Sequence, residues 1–173
     1  DRKIAAYESQ TVFPELGSAT KIRTGTFASS VSPSTDGGCA IVGGGLRCWG
    51  GNKYGQLGTE STTDSVSALV TATDVGVPLS GITDFAISGN TTCVVTVRGA
   101  VKCVGIGYGS NSYPGDGMLL TKTYGTTWVT ILATGASRVN VSSTETCVIK
   151  SDGTYWCATH SITPTWSDTG LTG

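Results

Sequence analysis

Apolar and polar positions alternate along this chain with a period of two, in runs of four to eight residues, and glycine-centred turns break the runs. "DFAIS", "RVNVS" and "VVTV" each place every second side chain on one face, which is the pattern of half-buried strands. Three stretches add a turn and a return: "CAIVGGGLRC" (Cys39–Cys48), "CVVTVRGAVKC" (Cys93–Cys103) and "CVIKSDGTYWC" (Cys147–Cys157). Each opens on Cys and an apolar strand, passes a turn that tolerates positive φ ("GGG", "RGA", "SDG"), and comes back to Cys, as tight β-hairpins do. Before each hairpin stands a lead-in with a small-residue turn and an alternating segment: residues 11–23, Pro78–Ser88 and Leu132–Ser142. After each comes a loop: "NKYGQLGTESTTDS", "IGYGSNSYPGDGM" and the shorter "ATHSITPTW". Only residues 1–10, "DRKIAAYESQ", without Gly or Pro, break the pattern. They suit a short helix or an N-terminal arm.

The repeat is regular. Cys39, Cys93 and Cys147 follow one another at 54-residue intervals, and Cys48, Cys103 and Cys157 at 55 and 54. A fixed period of this size marks a repeat architecture. Three or four short strands per period are the content of one propeller blade. The expected fold is therefore all-β, with about three propeller-like blades over residues 11–173 and repeats at about 24–82, 83–136 and 137–173.

Cysteines that face each other across a hairpin have three readings: a zinc site, free thiol pairs, or disulfides. Zinc knuckles favour closely spaced Cys or His pairs, whereas these pairs are separated by eight or nine residues and the chain holds a single histidine, His160. Three local disulfides, 39–48, 93–103 and 147–157, are the expectation. They would set the chain outside a reducing cytosol: extracellular, on a cell surface or in a periplasm.

Charge narrows the function. Eleven Lys and Arg stand against twelve Asp and Glu, for a net charge of −1. There is no basic excess to neutralise phosphates, so nucleic acid is not an expected partner. No apolar run of about 18 residues is present to cross a membrane as a helix. The absence of an initiating Met and of a signal-peptide core suggests a processed form or a fragment. No nucleophile elbow, phosphate loop or metalloprotease pattern occurs. His160 sits in a Thr/Ser-rich loop, and Asp116, Asp152 and Asp168 sit in turn contexts where Asp bonds backbone N–H groups. "VGIGYGSN" lacks the strand–helix context of a phosphate loop. No catalytic residue, metal site or cofactor is expected. Two glycosylation sequons occur, at Asn90 and Asn140.

"CWGGNKYGQLG" resembles the signature of the regulator of chromosome condensation repeat family. Cys39, Ala40, Gly45, Cys48, Trp49, Gly50, Asn52, Gly55, Gln56, Leu57 and Gly58 match it in the first repeat; Cys93, Gly99, Val101, Cys103 and Gly105 match in the second; Cys147, Gly153, Tyr155 and Cys157 match in the third. The resemblance covers about residues 11–173 and is closest in style to secreted bacterial members, which inhibit β-lactamases through aromatic-rich loops. It implies a β-propeller whose full ring has seven blades, with Trp49 and Leu57 packed between sheets and Asn52 and Gln56 bonding loop backbone. Three repeats leave such a ring incomplete or completed by a partner.

Surface recognition remains as the function. The expected reading is a non-enzymatic extracellular or cell-surface binding or adhesion module that meets a protein or glycan surface through inter-strand loops, with Tyr54, Tyr108 and Tyr113 as contacts. The alternative is a structural subunit of an extracellular filament or pilus-like appendage that assembles with copies of itself. An arc of three blades leaves two terminal faces without a neighbour, and Phe13, Leu16, Trp166 and Leu171 are expected near the assembly contact.

Overall fold

The computed structural model describes residues 13–31, 34–105, 125–142, 144–159 and 166–172. The expected arm at 1–10 lies outside the described residues. Among the described residues the helical content is one 3-10 turn, Pro14–Ser18.

Three four-stranded antiparallel meanders follow one another along the chain. The first joins β1 (Ala19–Phe27), β2 (Thr35–Val42), β3 (Gly45–Gly50) and β4 (Ser65–Thr71). A small hairpin, β5 (Thr73–Asp74) with β6 (Val77–Pro78), leads to the second: β7 (Ile82–Ser88), β8 (Thr91–Thr96), β9 (Val101–Gly105) and β10 (Val129–Leu132). The third joins β11 (Ala136–Val141), β12 (Glu145–Lys150), β13 (Thr154–Thr159) and β14 (Ser167–Thr172). Sheets built from strands consecutive in sequence are propeller blades, and the three do not close into a ring.

The turns follow from local chemistry. Gly43 and Gly44 both take positive φ (58° and 75°), which lets a two-residue turn match the strand twist between β2 and β3. The register then sets Cys39 opposite Cys48, Cys93 opposite Cys103 and Cys147 opposite Cys157. Each pair lies 4.1 Å apart at Cα and forms a disulfide across its hairpin. The zinc and free-thiol readings fall, since all six cysteines are paired with one another.

Period-two alternation gives each sheet a cystine face and an opposite face, and the sheets stack in one sense. Cys39, Ile41, Leu46 and Cys48 of the first sheet pack against Phe85, Val94 and Val104, which lie on the opposite face of the second. Cys93, Val95, Val101 and Cys103 of the second pack in turn against Val139, Val141 and Val148, on the opposite face of the third. Burying each such side chain contributes about 1.5–3 kcal/mol, so the two seams hold the arc together. Leu57 fills the first seam, as the resemblance implies. Trp49 does not lie in a seam. It follows Cys48 directly, so alternation turns it to the other face, where Phe13 packs on it with ring centroids 5.5 Å apart.

The first strands of the three sheets, β1, β7 and β11, run side by side. Each carries an irregularity at the same register, between Ala19 and Lys21, Ile82 and Asp84, and Ala136 and Arg138. Lys21, Asp84 and Arg138 are therefore equivalent positions. Asp84, only 2% exposed, ties the three strands together: one carboxylate oxygen pairs with the Lys21 ammonium and the other accepts the Val139 backbone N–H at 3.0 Å.

Candidate functional site

Two surfaces offer more than packing. The first is the end of the arc where the loop after β3 gathers against the segments after β1 and before β10. Its frame is polar and internally satisfied. The Asn52 amide donates to the carbonyls of Ser61 (2.9 Å) and Thr63 (3.0 Å), and its oxygen accepts the Leu57 N–H at 2.9 Å. The Gln56 amide donates to Ala28 O at 2.7 Å and its oxygen accepts the Tyr54 N–H at 2.9 Å. The Thr92 hydroxyl donates to Gln56 O at 2.7 Å and so pins this loop to the second sheet. Both amides are fully buried, and burial of such groups is tolerable only with partners of this kind. The backbone-bonding role that the resemblance implies for Asn52 and Gln56 is what the geometry shows.

Asp64 closes the frame. It accepts the Asn52 N–H (2.6 Å), the Ser29 hydroxyl (2.5 Å) and the Ser30 N–H (3.0 Å). Burial pushes its carboxyl up, but the hydrogen bonds from Ser29 and from the backbone of Asn52 and Ser30 outweigh it, and the group lies below its ordinary value. Gly58 makes a close approach possible: a Cβ there would sit 2.4 Å from Trp128 Cζ2. The Trp128 indole lies over it and donates to Gly58 O at 3.3 Å. On this frame Tyr54 is half-buried, with the Lys53 ammonium 5.5 Å from its ring centroid. Tyr108 and Tyr113 lie outside the described residues, but Gly105 and Gly125, which bracket their segment, are joined by a hydrogen bond at 2.9 Å.

The second surface is the cystine face of the third sheet. The first two cystines are buried, with Cys39, Cys48 and Cys93 at 0% and Cys103 at 1% exposure, whereas Cys147 and Cys157 are only half-buried. Around them Ile149, Tyr155, Leu171 and Arg138 line an open cleft of about 420 Å³ that reaches Asp84 and Arg23. Glu145 approaches the same cystine, but sulfurs bonded to each other offer a cation no thiolate.

The residues expected at an assembly contact divide among three places. Leu171 is 63% exposed on this open face. Phe13 lies on Trp49 and the half-buried Leu16 belongs to the 3-10 turn set against β2, so both are at the far side of the first sheet. Trp166 sits at the seam of the second and third sheets, where its indole N–H donates to Ile131 O at 3.1 Å.

Sequence reading missed Lys21, Asp84, Arg138 and Asp64. The first three carry a signal once the lead-ins are set in register: "KIR", "DFA" and "RVN" begin at equivalent positions and alternate in charge.

No protein-family model matches the chain, and no characterised protein matches it by sequence. Solved structures do match in shape. Human WBSCR16 superposes on 75% of this chain with a TM-score of 0.57 at 15% identity, and yeast RCC1 (Prp20), solved bound to Kap60, on 82% with a TM-score of 0.49 at 16%. The chain spans 35% and 32% of those two structures' lengths. The first likeness carries the fold, an RCC1-like β-propeller.

Proposed function

We propose that the chain is a non-enzymatic protein-binding module that works outside the reducing cytosol and recognises its partner through the loop end that presents Tyr54. The observation that carries this reading is the frame itself. The buried Asn52 and Gln56 amides and the half-buried Asp64 carboxylate direct their hydrogen bonds to fixing a loop rather than to lining a cavity, and they fix it under a tyrosine. A pre-ordered aromatic loop loses little conformational entropy on binding, which is where such loops gain affinity. Three hairpin disulfides support a location outside the cytosol, since thiols there are held reduced. The test is retention of the fluorescently labelled, oxidised chain on intact cells and on a panel of immobilised extracellular proteins. Tyr54→Ala should lower retention about tenfold, the loss of one aromatic contact, with the circular dichroism spectrum and all three disulfides unchanged. Equal retention of the wild-type chain, the Tyr54→Ala variant and a reduced, alkylated sample would overturn the reading.

A further inference from the structure

We propose that the Trp49 face of the first sheet is a carbohydrate site that takes a neutral pyranose chain with equatorial hydroxyls. This surface lies outside the two described above and shares no residue with the frame under Tyr54, so the two readings stand or fall separately.

Register builds the site. Gly38 pairs with Thr24 on one side and with Trp49 on the other, and Asp36 pairs with Thr26. Cross-strand partners share a face. Cys39 and Cys48 occupy the opposite one, so Thr24, Thr26, Asp36 and Trp49 stand on one surface. Gly38 lets the indole lie flat across β2, since a Cβ there would meet Trp49 Cζ2 at 2.7 Å and Cη2 at 2.8 Å. Phe13 packs on the indole at a tilt of 49°. Beside them, Trp49, Thr24, Thr26 and Asp36 line an open cleft of about 350 Å³ with the backbone of Gly25 and Gly37. Small-ligand sites span about 300–1,000 Å³.

Three features set this face apart from the faces that pack in the two seams. Where the second sheet carries Ile87 and Val94, the first carries Thr24 and Ala40, which hollow the surface and place a hydroxyl in it. The indole N–H groups of Trp128, Trp156 and Trp166 are each bonded within the fold, whereas that of Trp49 makes no hydrogen bond among the described residues. Thr24, Thr26 and Asp36 are exposed, and among the described residues their side chains make no hydrogen bond or ion pair.

This chemistry selects a sugar. A pyranose turns its axial C–H bonds to an electron-rich aromatic face and its equatorial hydroxyls sideways, where the threonines and Asp36 stand. The carboxylate only accepts, so it takes hydroxyl donors, and the threonine hydroxyls can do either. Polyproline, another ligand of aromatic grooves, offers carbonyl acceptors and no N–H, so Asp36 would have nothing to bond. No cation lines the cleft, and Arg47, on the same face, donates to Thr71 instead. An acidic sugar would therefore meet Asp36 as a like charge without relief. The occupant is a neutral, flat strip such as a β-linked glucose chain.

Cellotetraose and the full, oxidised chain test the site. Saturation-transfer NMR should show transfer to the axial ring protons of the sugar. A fluorescence titration should give a saturable change that Trp49→Phe reduces. Asp36→Ala removes an exposed side chain without a partner, so the circular dichroism spectrum and the disulfides should persist while the dissociation constant rises about tenfold, the loss of a hydrogen bond to a charged group. The same tetramer with its hydroxymethyl groups oxidised to carboxylates should bind wild type at least about tenfold more weakly than cellotetraose does, and Asp36→Asn should narrow that gap. An absence of saturable cellotetraose binding at millimolar concentration overturns the proposal. So does an unchanged dissociation constant in Asp36→Ala, or an oxidised tetramer that binds as tightly as the neutral one. A proline-rich peptide that displaces cellotetraose and binds wild type and Asp36→Ala equally would make the cleft a peptide groove and overturn it as well.

Discussion

Replacing Asp84 by Ala removes two different interactions at once, and the structure lets their sizes be separated. The side chain is buried, and one oxygen accepts the Val139 N–H at the seam of the second and third sheets. Losing that acceptor leaves a buried amide without a partner, a cost of about 1–3 kcal/mol. The other oxygen pairs with Lys21, whose side chain keeps 33% of its surface in water. That ammonium can turn outward once the carboxylate is gone, so the pair adds only about 0–1 kcal/mol, the value of an exposed ion pair. The sum is about 1–4 kcal/mol. For a chain of this length, each kcal/mol moves the melting temperature by about 2–4 °C. Asp84→Ala should therefore melt roughly 2–16 °C below wild type in differential scanning calorimetry, whereas Lys21→Met strands the buried Asp84 carboxylate without its counter-ion and should cost more than the ion pair itself contributes. Asp84→Asn keeps an oxygen for Val139 and gives up the charge, and Lys21 can turn to water, so it should lose only about 4 °C at most. An Asp84→Ala variant within about 1 °C of wild type would refute the view that this residue locks three first strands. An Asp84→Asn variant as unstable as Asp84→Ala would show that the charge, not the hydrogen bond, matters.

Three further outcomes follow from named contacts. Gly58→Ala puts a methyl group at positive φ (67°) against the Trp128 ring; about 1–2 kcal/mol of backbone strain and about 1–3 kcal/mol of overpacking should appear as a lowered urea midpoint, and an unchanged midpoint would contradict the close approach. The Asp64 carboxyl has a lowered pKa when folded, so its contribution is complete above the unfolded value of about 3.9 and disappears as pH falls through the lower folded value; Asp64→Asn should flatten the acid limb of the stability curve measured by tryptophan fluorescence in that window, and an identical acid limb would count against the frame. Under limiting dithiothreitol, Cys147–Cys157 should be reduced before the other two cystines because it alone is half-buried, and mass mapping that finds Cys93–Cys103 reduced first would contradict the packing order.

The hairpins, their cystine pairs and the repeat were legible because period-two alternation and glycine turns act over a few residues, and Cys39 and Cys48 need only each other. Leu57, Asn52 and Gln56 were legible through a motif whose roles are local to one loop. Trp49 was placed in a seam because the motif says "packed" but not on which side; the alternation from Cys48 contains that answer, and it is the opposite face. Asp84 and Arg138 were not legible. Their meaning comes from one-residue irregularities that shift the register of β7 and β11, and from contacts between sheets 55 residues apart in the chain. Trp166 read as a terminal aromatic and is found against Ile131, a contact set by how two sheets meet and by nothing near it in sequence.

The one-way stacking of cystine face on opposite face has a consequence for symmetry. A dimer with a two-fold axis needs a patch that fits itself. The cystine face of the third sheet does not: a two-fold partner would oppose one half-buried cystine with another and set two Arg138 guanidinium groups beside the same axis. Contacts made through that face are therefore heterologous, with different surfaces on the two sides. Heterologous contacts do not terminate by pairing; they propagate until the rotation per step brings the series back on itself. For this arc the sense of each step is already written into the two seams it contains.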